Sequence, residues 1–176
     1  EISACLVGSE MCIRDSPEPV NLVAIARQSV VDFINLDMEE KYPIEWNTDE
    51  ALTACVINGD KELLRRAIGN LITNSQTHNP DGCTISVCVR KSDTEYKIFV
   101  EDNGVGVTDE KLEKLRTTPH YMMSDSGTTE PRHGLGLLIV GQIVSAHNGT
   151  VSFDHGKQGG FAVTISFPIP KDSHTQ

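Results

Sequence analysis

The sequence predicts an α/β (α+β) fold, a two-layer sandwich in which one mixed, mostly antiparallel sheet is covered on one face by about three helices. Three observations lead there. Apolar residues recur at helical spacing in three separate stretches, beginning near Asn21, Asp60 and Gly134. Two pairs of alternating apolar runs follow the second and third of these, each pair in hairpin arrangement. The 176 residues fit one domain with a single core.

The first helix follows "PEPV". Asn21 can cap it, and Leu22, Ile25, Ala26, Ser29 and Phe33 share one face, widened by Val30, Ile34 and Met38. Tyr42-Pro43 ends it, because the residue before proline avoids the helical region. "IEWNTDE" and "ACVIN" are short enough for strands of the same sheet. Asp60 caps the second helix, with Glu62 in its first turn, and "HNPDG" stops it. "CTISVCVR" and "EYKIFVED" form a hairpin through "KSDT". Residues 103–133 lose periodicity apart from "TDEKLEKLR", capped by Thr108, and a loop of that length reads as a lid. "GLGLLIVGQIVSAHNG" is the third long helix, closed at Asn148-Gly149. "TVSFDH" and "GFAVTISFP" make the second hairpin, and residues 171–176 are a polar tail.

The formal net charge is −10, and no cluster of Lys and Arg relieves it. Such a balance argues against nucleic acid or an anionic membrane surface as a partner. No apolar run has the length of a membrane span, and the first residues carry acids where a signal peptide needs a basic start. The five cysteines show no CxxC spacing; Cys83 and Cys88 fall on opposite faces of one strand. They read as reduced thiols of a cytoplasmic protein.

Three stretches could carry chemistry. On the second helix Asn70, Asn74 and His78 form a polar stripe one turn apart, with Arg66 a turn earlier. Alone this reads as a solvated face. Asparagine is nevertheless a poor helix former there, and two amide oxygens one turn apart suit a hydrated Mg²⁺ carrying phosphates. In "VEDNGVGV", Asp102 ends an alternating strand. Its carboxylate can accept from an exocyclic amine such as that of adenine, and Gly104 and Gly106 let the backbone turn beside a ligand. The bland alternative is an ordinary Asp-Asn-Gly turn. In "HGLGLLIV", Gly134 and Gly136 open an apolar helix whose free N–H groups suit phosphate. It is neither a Walker A loop, lacking Lys-Ser/Thr, nor a dinucleotide fingerprint, lacking a preceding strand.

Together, in this order and with a lid between the last two, the motifs resemble the catalytic ATP-binding domain of sensor histidine kinases, in the superfamily shared with gyrase, Hsp90 and MutL. "LLRRAIGNLITNSQTHN" is similar to its N box, "EDNGVGV" and "RHGLGLLIV" to its two glycine boxes, and "GGFAVTISFP" to its closing strand. The resemblance covers residues 17–170. It implies that Asp102 binds the adenine amine in a pocket shaped by Gly104 and Gly106. Asn74 would hold Mg²⁺, His78 would line the nucleotide site, and Gly134, Leu135, Gly136 and Leu137 would meet the phosphates. Asn70 stands where hydrolytic relatives carry a Glu base; an amide cannot take a proton from water, which favours phosphoryl transfer over ATP hydrolysis. Two departures concern the lid. Thr77 stands where the family often has Lys, so Arg132 or His133 would supply the phosphate cation, and Tyr121 is its sole aromatic.

A histidine kinase phosphorylates a His, usually followed by an acid, on a dimerisation domain. No His here has that neighbour. The phosphoacceptor is therefore expected upstream, together with any sensor and membrane anchor, and homodimerisation is expected in the full-length protein alone. A response regulator receiver domain is the expected downstream partner. The fragment is expected to bind ATP and Mg²⁺ without phosphorylating itself. A degenerate nucleotide-sensing module is the competing reading, favoured by Thr77 and disfavoured by Asn70, Asn74 and Asp102. A gyrase- or MutL-type ATPase would require Glu at position 70.

Residues 6–16, "LVGSEMCIRDS", match none of this. They resemble the translation of a transposase sequencing adapter (CTC GTG GGC TCG GAG, then ATG TGT ATA AGA GAC AG), so residues 1–16 are expected to be a non-native assembly scar without packed structure. Without them three cysteines remain, and 14 basic against 22 acidic residues leave a charge of −8.

Overall fold

The computed structural model describes residues 17–36, 41–117 and 135–170. The expectations for residues 1–16, Met38 and the tail 171–176 lie outside the described residues. In order the elements are β1 (Glu18–Asn21), α1 (Leu22–Leu36), β2 (Ile44–Trp46), β3 (Val56–Gly59), α2 (Lys61–His78), β4 (Ile85–Lys91), β5 (Glu95–Asp102), α3 (Asp109–Thr117), α4 (Leu135–Ala146), β6 (Thr150–His155) and β7 (Phe161–Pro168).

Five strands form one sheet in the order β2-β4-β5-β7-β6. The β2–β4 pair is parallel and the others antiparallel. The parallel pair needs a long crossover, which β3 and α2 supply. Alternation fixes the faces. Val87, Val100 and Val163 lie in one cross-strand row and Val89, Ile98 and Ile165 in the next, all buried. These rows meet the apolar stripes of α1, α2 and α4, including Leu22, Leu64, Ile68, Leu71, Ile72 and Ile143. The alternate residues line the uncovered face, where the Arg90 guanidinium stacks 5.4 Å from the Phe99 ring.

The structure departs from the expected single sheet in one respect. β3 leaves the main sheet and pairs antiparallel with β1, Glu18 opposite Gly59 and Asn21 opposite Val56. Pro19 has no N–H, so a two-stranded edge ribbon is the place where β1 can pair. Asn21 ties the ribbon to α1. Its Oδ1 accepts from both Val23 N and Cys55 N at 3.1 Å, and its Nδ2 donates to Thr53 O at 3.0 Å. Ile34 does not widen the core face of α1; it is 53% exposed.

The other punctuation falls where the residues put it. Asp60 caps α2 by accepting from Leu63 N at 2.9 Å. Thr108 Oγ1 accepts from Lys111 N at 3.3 Å at the start of α3. Past α4, Asn148 takes φ 57° and Gly149 N donates to Val144 O at 2.9 Å, which ends the helix. No helix among the described residues is long and apolar enough to cross a membrane.

Candidate functional site

Three buried polar residues, Ser75, Asn79 and Asp102, lie at one end of the sheet, where β5 stops beneath the second half of α2. Asp102 is the last residue of β5 and follows Ile98 and Val100 on the inward face, so its carboxylate is buried at 4% exposure. Its Oδ1 accepts from Gly104 N at 3.0 Å and from Phe161 N, at the start of β7, at 3.4 Å. Those bonds fix the carboxylate plane, and Oδ2 has no partner among the described residues. A fixed, buried acceptor of this kind selects a ligand donor such as an amine.

The backbone around it is crowded to the point that side chains are excluded. A Cβ on Gly104 would lie 1.8 Å from Asn79 Oδ1. Gly106 has φ +66°, and its Cβ would meet Gly160 O at 2.8 Å. A Cβ on Gly160 would sit 2.0 Å from Asp102 O. The loop after β5 and the β6–β7 loop are therefore closed against each other beside the carboxylate. Sequence reasoning missed two parts of this cradle. Asn79, read as punctuation, is 3% exposed; its Nδ2 donates to Ser75 O at 2.8 Å and its Oδ1 accepts from Val105 N at 2.9 Å. The 156–160 loop, "GKQGG", draws no attention as the link of a hairpin, although three glycines in five residues signal a close approach.

Asn70, Asn74 and His78 lie along one side of α2, each half-buried, while Arg66 and Thr77 are exposed. The Thr77 hydroxyl is bonded back to Thr73 O at 2.9 Å, so it offers no cation and turns its donor inward. At the start of α4, Leu135 is 56% exposed, Leu137 is buried in the core, and nothing crowds Gly136. Leu137 can thus offer a ligand only its backbone. Arg132, His133 and Gly134, and Tyr121 of the lid, lie outside the described residues. The described part of residues 103–133 holds α3, tethered to β6. Arg116 donates to Phe153 O at 3.0 Å and to Asp154 at 2.8 Å, and His155 Nε2 lies 2.7 Å from Asp109 Oδ1. These groups are exposed, so the bonds set the placement of α3 more than they add stability.

Cys83 reports on the same interior. Burial, reinforced by the Asp102 carboxylate and opposed by a bond from Asn79, pushes its thiol up from 9.0 to about 11. At pH 8 that shift leaves about a hundredfold less thiolate than an ordinary cysteine has. Iodoacetamide is therefore expected to alkylate Cys83 at least that much more slowly than it does the unfolded chain, read by mass spectrometry of the peptide. Equal rates in folded and unfolded protein would refute that burial.

A sandwich with a buried carboxylate at one strand end, under a helix and beside a glycine-closed loop, is an α/β domain with a candidate ligand site. The chain belongs to the histidine kinase-, DNA gyrase B- and HSP90-like ATPase family, whose model matches residues 59–171. Sporulation kinase B of Bacillus subtilis is 32% identical over 152 residues, 86% of this chain and 33% of that protein. The signal transduction histidine-protein kinase BaeS of Escherichia coli is 25% identical over 166 residues, 94% of this chain and 35% of that protein. The chain thus spans about a third of the length of these curated relatives. Among solved structures, the ATP-binding domain of PrrB from Mycobacterium tuberculosis has the same fold, with TM-score 0.68 at 22% identity, covering 89% of this chain and all of that one.

Proposed function

We propose that residues 17–170 are the catalytic ATP-binding domain of a two-component sensor histidine kinase, with a lid over residues 103–133. It would donate the γ-phosphoryl group of ATP to a His on a separate dimerisation domain. The observation that carries this reading is Asp102: a buried carboxylate with one oxygen held by Gly104 and Phe161 and the other left for a ligand amine. Kinases named among the relatives support it. A receiver domain of a response regulator would take the phosphoryl group onward, and the domain would work at the cytoplasmic side of a homodimeric parent. The net charge of −10 supports neither nucleic acid nor an anionic membrane as a partner of this domain.

The donor set fits the nucleotide and Mg²⁺. Adenine would enter beside Gly104 and Gly106 with its amine on Asp102. The half-buried amides of Asn70 and Asn74 and the ring of His78 would face the phosphates from α2, and Leu135, Gly136 and Leu137 would offer backbone N–H groups from α4, with Gly134 and Arg132 preceding them. Among the described residues no group of three or more His, Cys, Asp or Glu could hold a metal by itself. That supports an ion that arrives with its phosphates and takes a single protein oxygen, from Asn74. When bound, Mg²⁺ would neutralise phosphate charge during transfer. Asn70 cannot remove a proton from water, so this chain would position a phosphoryl group for an incoming imidazole and leave it unhydrolysed.

Calorimetry with a non-hydrolysable ATP analogue, with and without Mg²⁺, tests the reading. The wild-type chain is expected to bind, and more tightly with the ion. Asn74→Ala is expected to lose about tenfold in affinity with Mg²⁺ present and nothing without it. Absence of binding to the wild-type chain in both conditions overturns the nucleotide reading. A Mg²⁺ response that survives Asn74→Ala overturns the metal assignment.

A further inference from the structure

A histidine that the nucleotide site does not use joins the two helices that frame it. His147, one residue past α4, is 8% exposed. Its Nδ1 lies 2.7 Å from Ile143 O, and its Nε2 lies 2.9 Å from Asp60 N. A carbonyl can accept only, and a backbone N–H can donate only. These contacts therefore place the ring proton on Nδ1 and leave Nε2 bare. Asp60 is the cap of α2: its side chain holds Leu63 N, and His147 holds its own N–H, which no helical bond can satisfy. The pin is close-fitting. A Cβ on Gly59 would come within 2.4 Å of His147 Cδ2 and 2.8 Å of Nε2, although the φ of Gly59 is not in the left-handed region.

The contact has a geometric consequence. It joins the N-terminus of α2 to the C-terminus of α4, and the two helices pack side by side. They therefore run antiparallel from a common origin. Counting back twelve residues from His147 gives Leu135, and counting forward twelve from Asp60 gives Ile72, both about 18 Å from the pin at 1.5 Å rise per residue. The open start of α4 is thus level with the stretch between Asn70 and Asn74. A slip of α4 by one residue, about 1.5 Å, is enough to spoil contacts to a shared phosphate chain.

We infer that His147 is a positioning residue that sets the axial register of α4 on α2. It thereby holds the phosphate-facing start of one helix opposite the asparagine pair of the other. This rests on the nucleotide reading above, and it concerns the phosphates alone, because Asp102 and its cradle are built from β5, the loops beyond it and Asn79 at the end of α2, with no part from α4.

The test compares ATP-Mg²⁺ with adenosine on the whole chain by calorimetry, together with ¹⁵N NMR of the His147 ring. The expected spectrum shows the Nδ1–H tautomer. His147→Ala is expected to weaken ATP about tenfold, through phosphate contacts misplaced by the slip of α4, and to leave adenosine affinity unchanged. His147→Gln, whose carbonyl reaches as far as Nε2, is expected to recover most of the loss. Gly59→Ala is expected to weaken ATP in the wild-type background and to add little to His147→Ala, where the ring it strikes is gone and only Leu64 Cδ1, at 3.3 Å, stays close. A merely structural histidine would weaken ATP and adenosine alike, which overturns the inference, as does an Nε2–H tautomer. If His147→Ala does not fold, the Gln and Gly59→Ala variants and the spectrum decide. If the wild-type chain binds adenosine and ATP nowhere, the nucleotide reading fails, and the tautomer still reports whether the pin exists.

Discussion

Asp102→Asn is expected to lower ATP affinity at least about a hundredfold while leaving the unliganded protein folded. The substitution keeps shape and volume. One carboxylate oxygen already accepts from Gly104 N and Phe161 N. The replacement amide must keep its oxygen there, since turning its NH₂ toward those donors would cost two bonds in a buried site. Its NH₂ then takes the place of Oδ2 and meets the ligand amine, donor against donor. The loss combines one charge-assisted bond with one repulsion, and such polar mismatches discriminate far more strongly than a missing methyl group. Calorimetry supplies the affinity, and thermal melting without nucleotide separates binding from folding. Unchanged ATP affinity in a folded variant would remove Asp102 from the site.

How much of this was legible depended on sequence distance. The helices, the β4–β5 and β6–β7 hairpins and the Asp60 cap are written in local periodicity and in a single side chain's reach, and the structure has them. β1 was hidden because four residues containing Pro19 carry no strand period, and with it was hidden the reason for β3 to leave the main sheet. Asp102, Gly104 and Gly106 stand in one short run and announced themselves. Their supports did not. Phe161 is 59 residues beyond Asp102, and His147 is 87 residues beyond Asp60. Only the pairing of β5 with β7 and the packing of α4 on α2 bring them together. A residue such as Asn79 is harder still, because Asn-Pro-Asp-Gly is turn chemistry whether or not the first side chain is buried in a cradle.

Gly104→Ala is expected to cost about 3 kcal/mol of stability, a fall of roughly 10 °C in Tm, and to weaken nucleotide binding with it. Backbone strain is not the cause, since Gly104 has no left-handed φ. The added methyl would lie 1.8 Å from Asn79 Oδ1, 2.2 Å from its Cγ and 2.5 Å from its Nδ2, so the whole amide must leave. Asn79 is 3% exposed and cannot move into water without opening the end of α2. Leaving breaks its bonds to Val105 N and Ser75 O; Ser75 remains buried, and the loop at exposed Val105 loses its anchor. Val105 precedes Gly106, so release of its N–H also frees the loop beside Asp102. The cause can be isolated by a double-mutant cycle. Asn79→Ala loses the same two bonds but clears the space, so Gly104→Ala on that background is expected to cost less than about 1 kcal/mol. Additive effects of the two substitutions would mean that Gly104 is required for some reason other than the amide packed against it. Strong coupling would mean that α2 and the loop after β5 are one unit, so that the helix bearing Asn70 and Asn74 cannot shift without disturbing the carboxylate pocket.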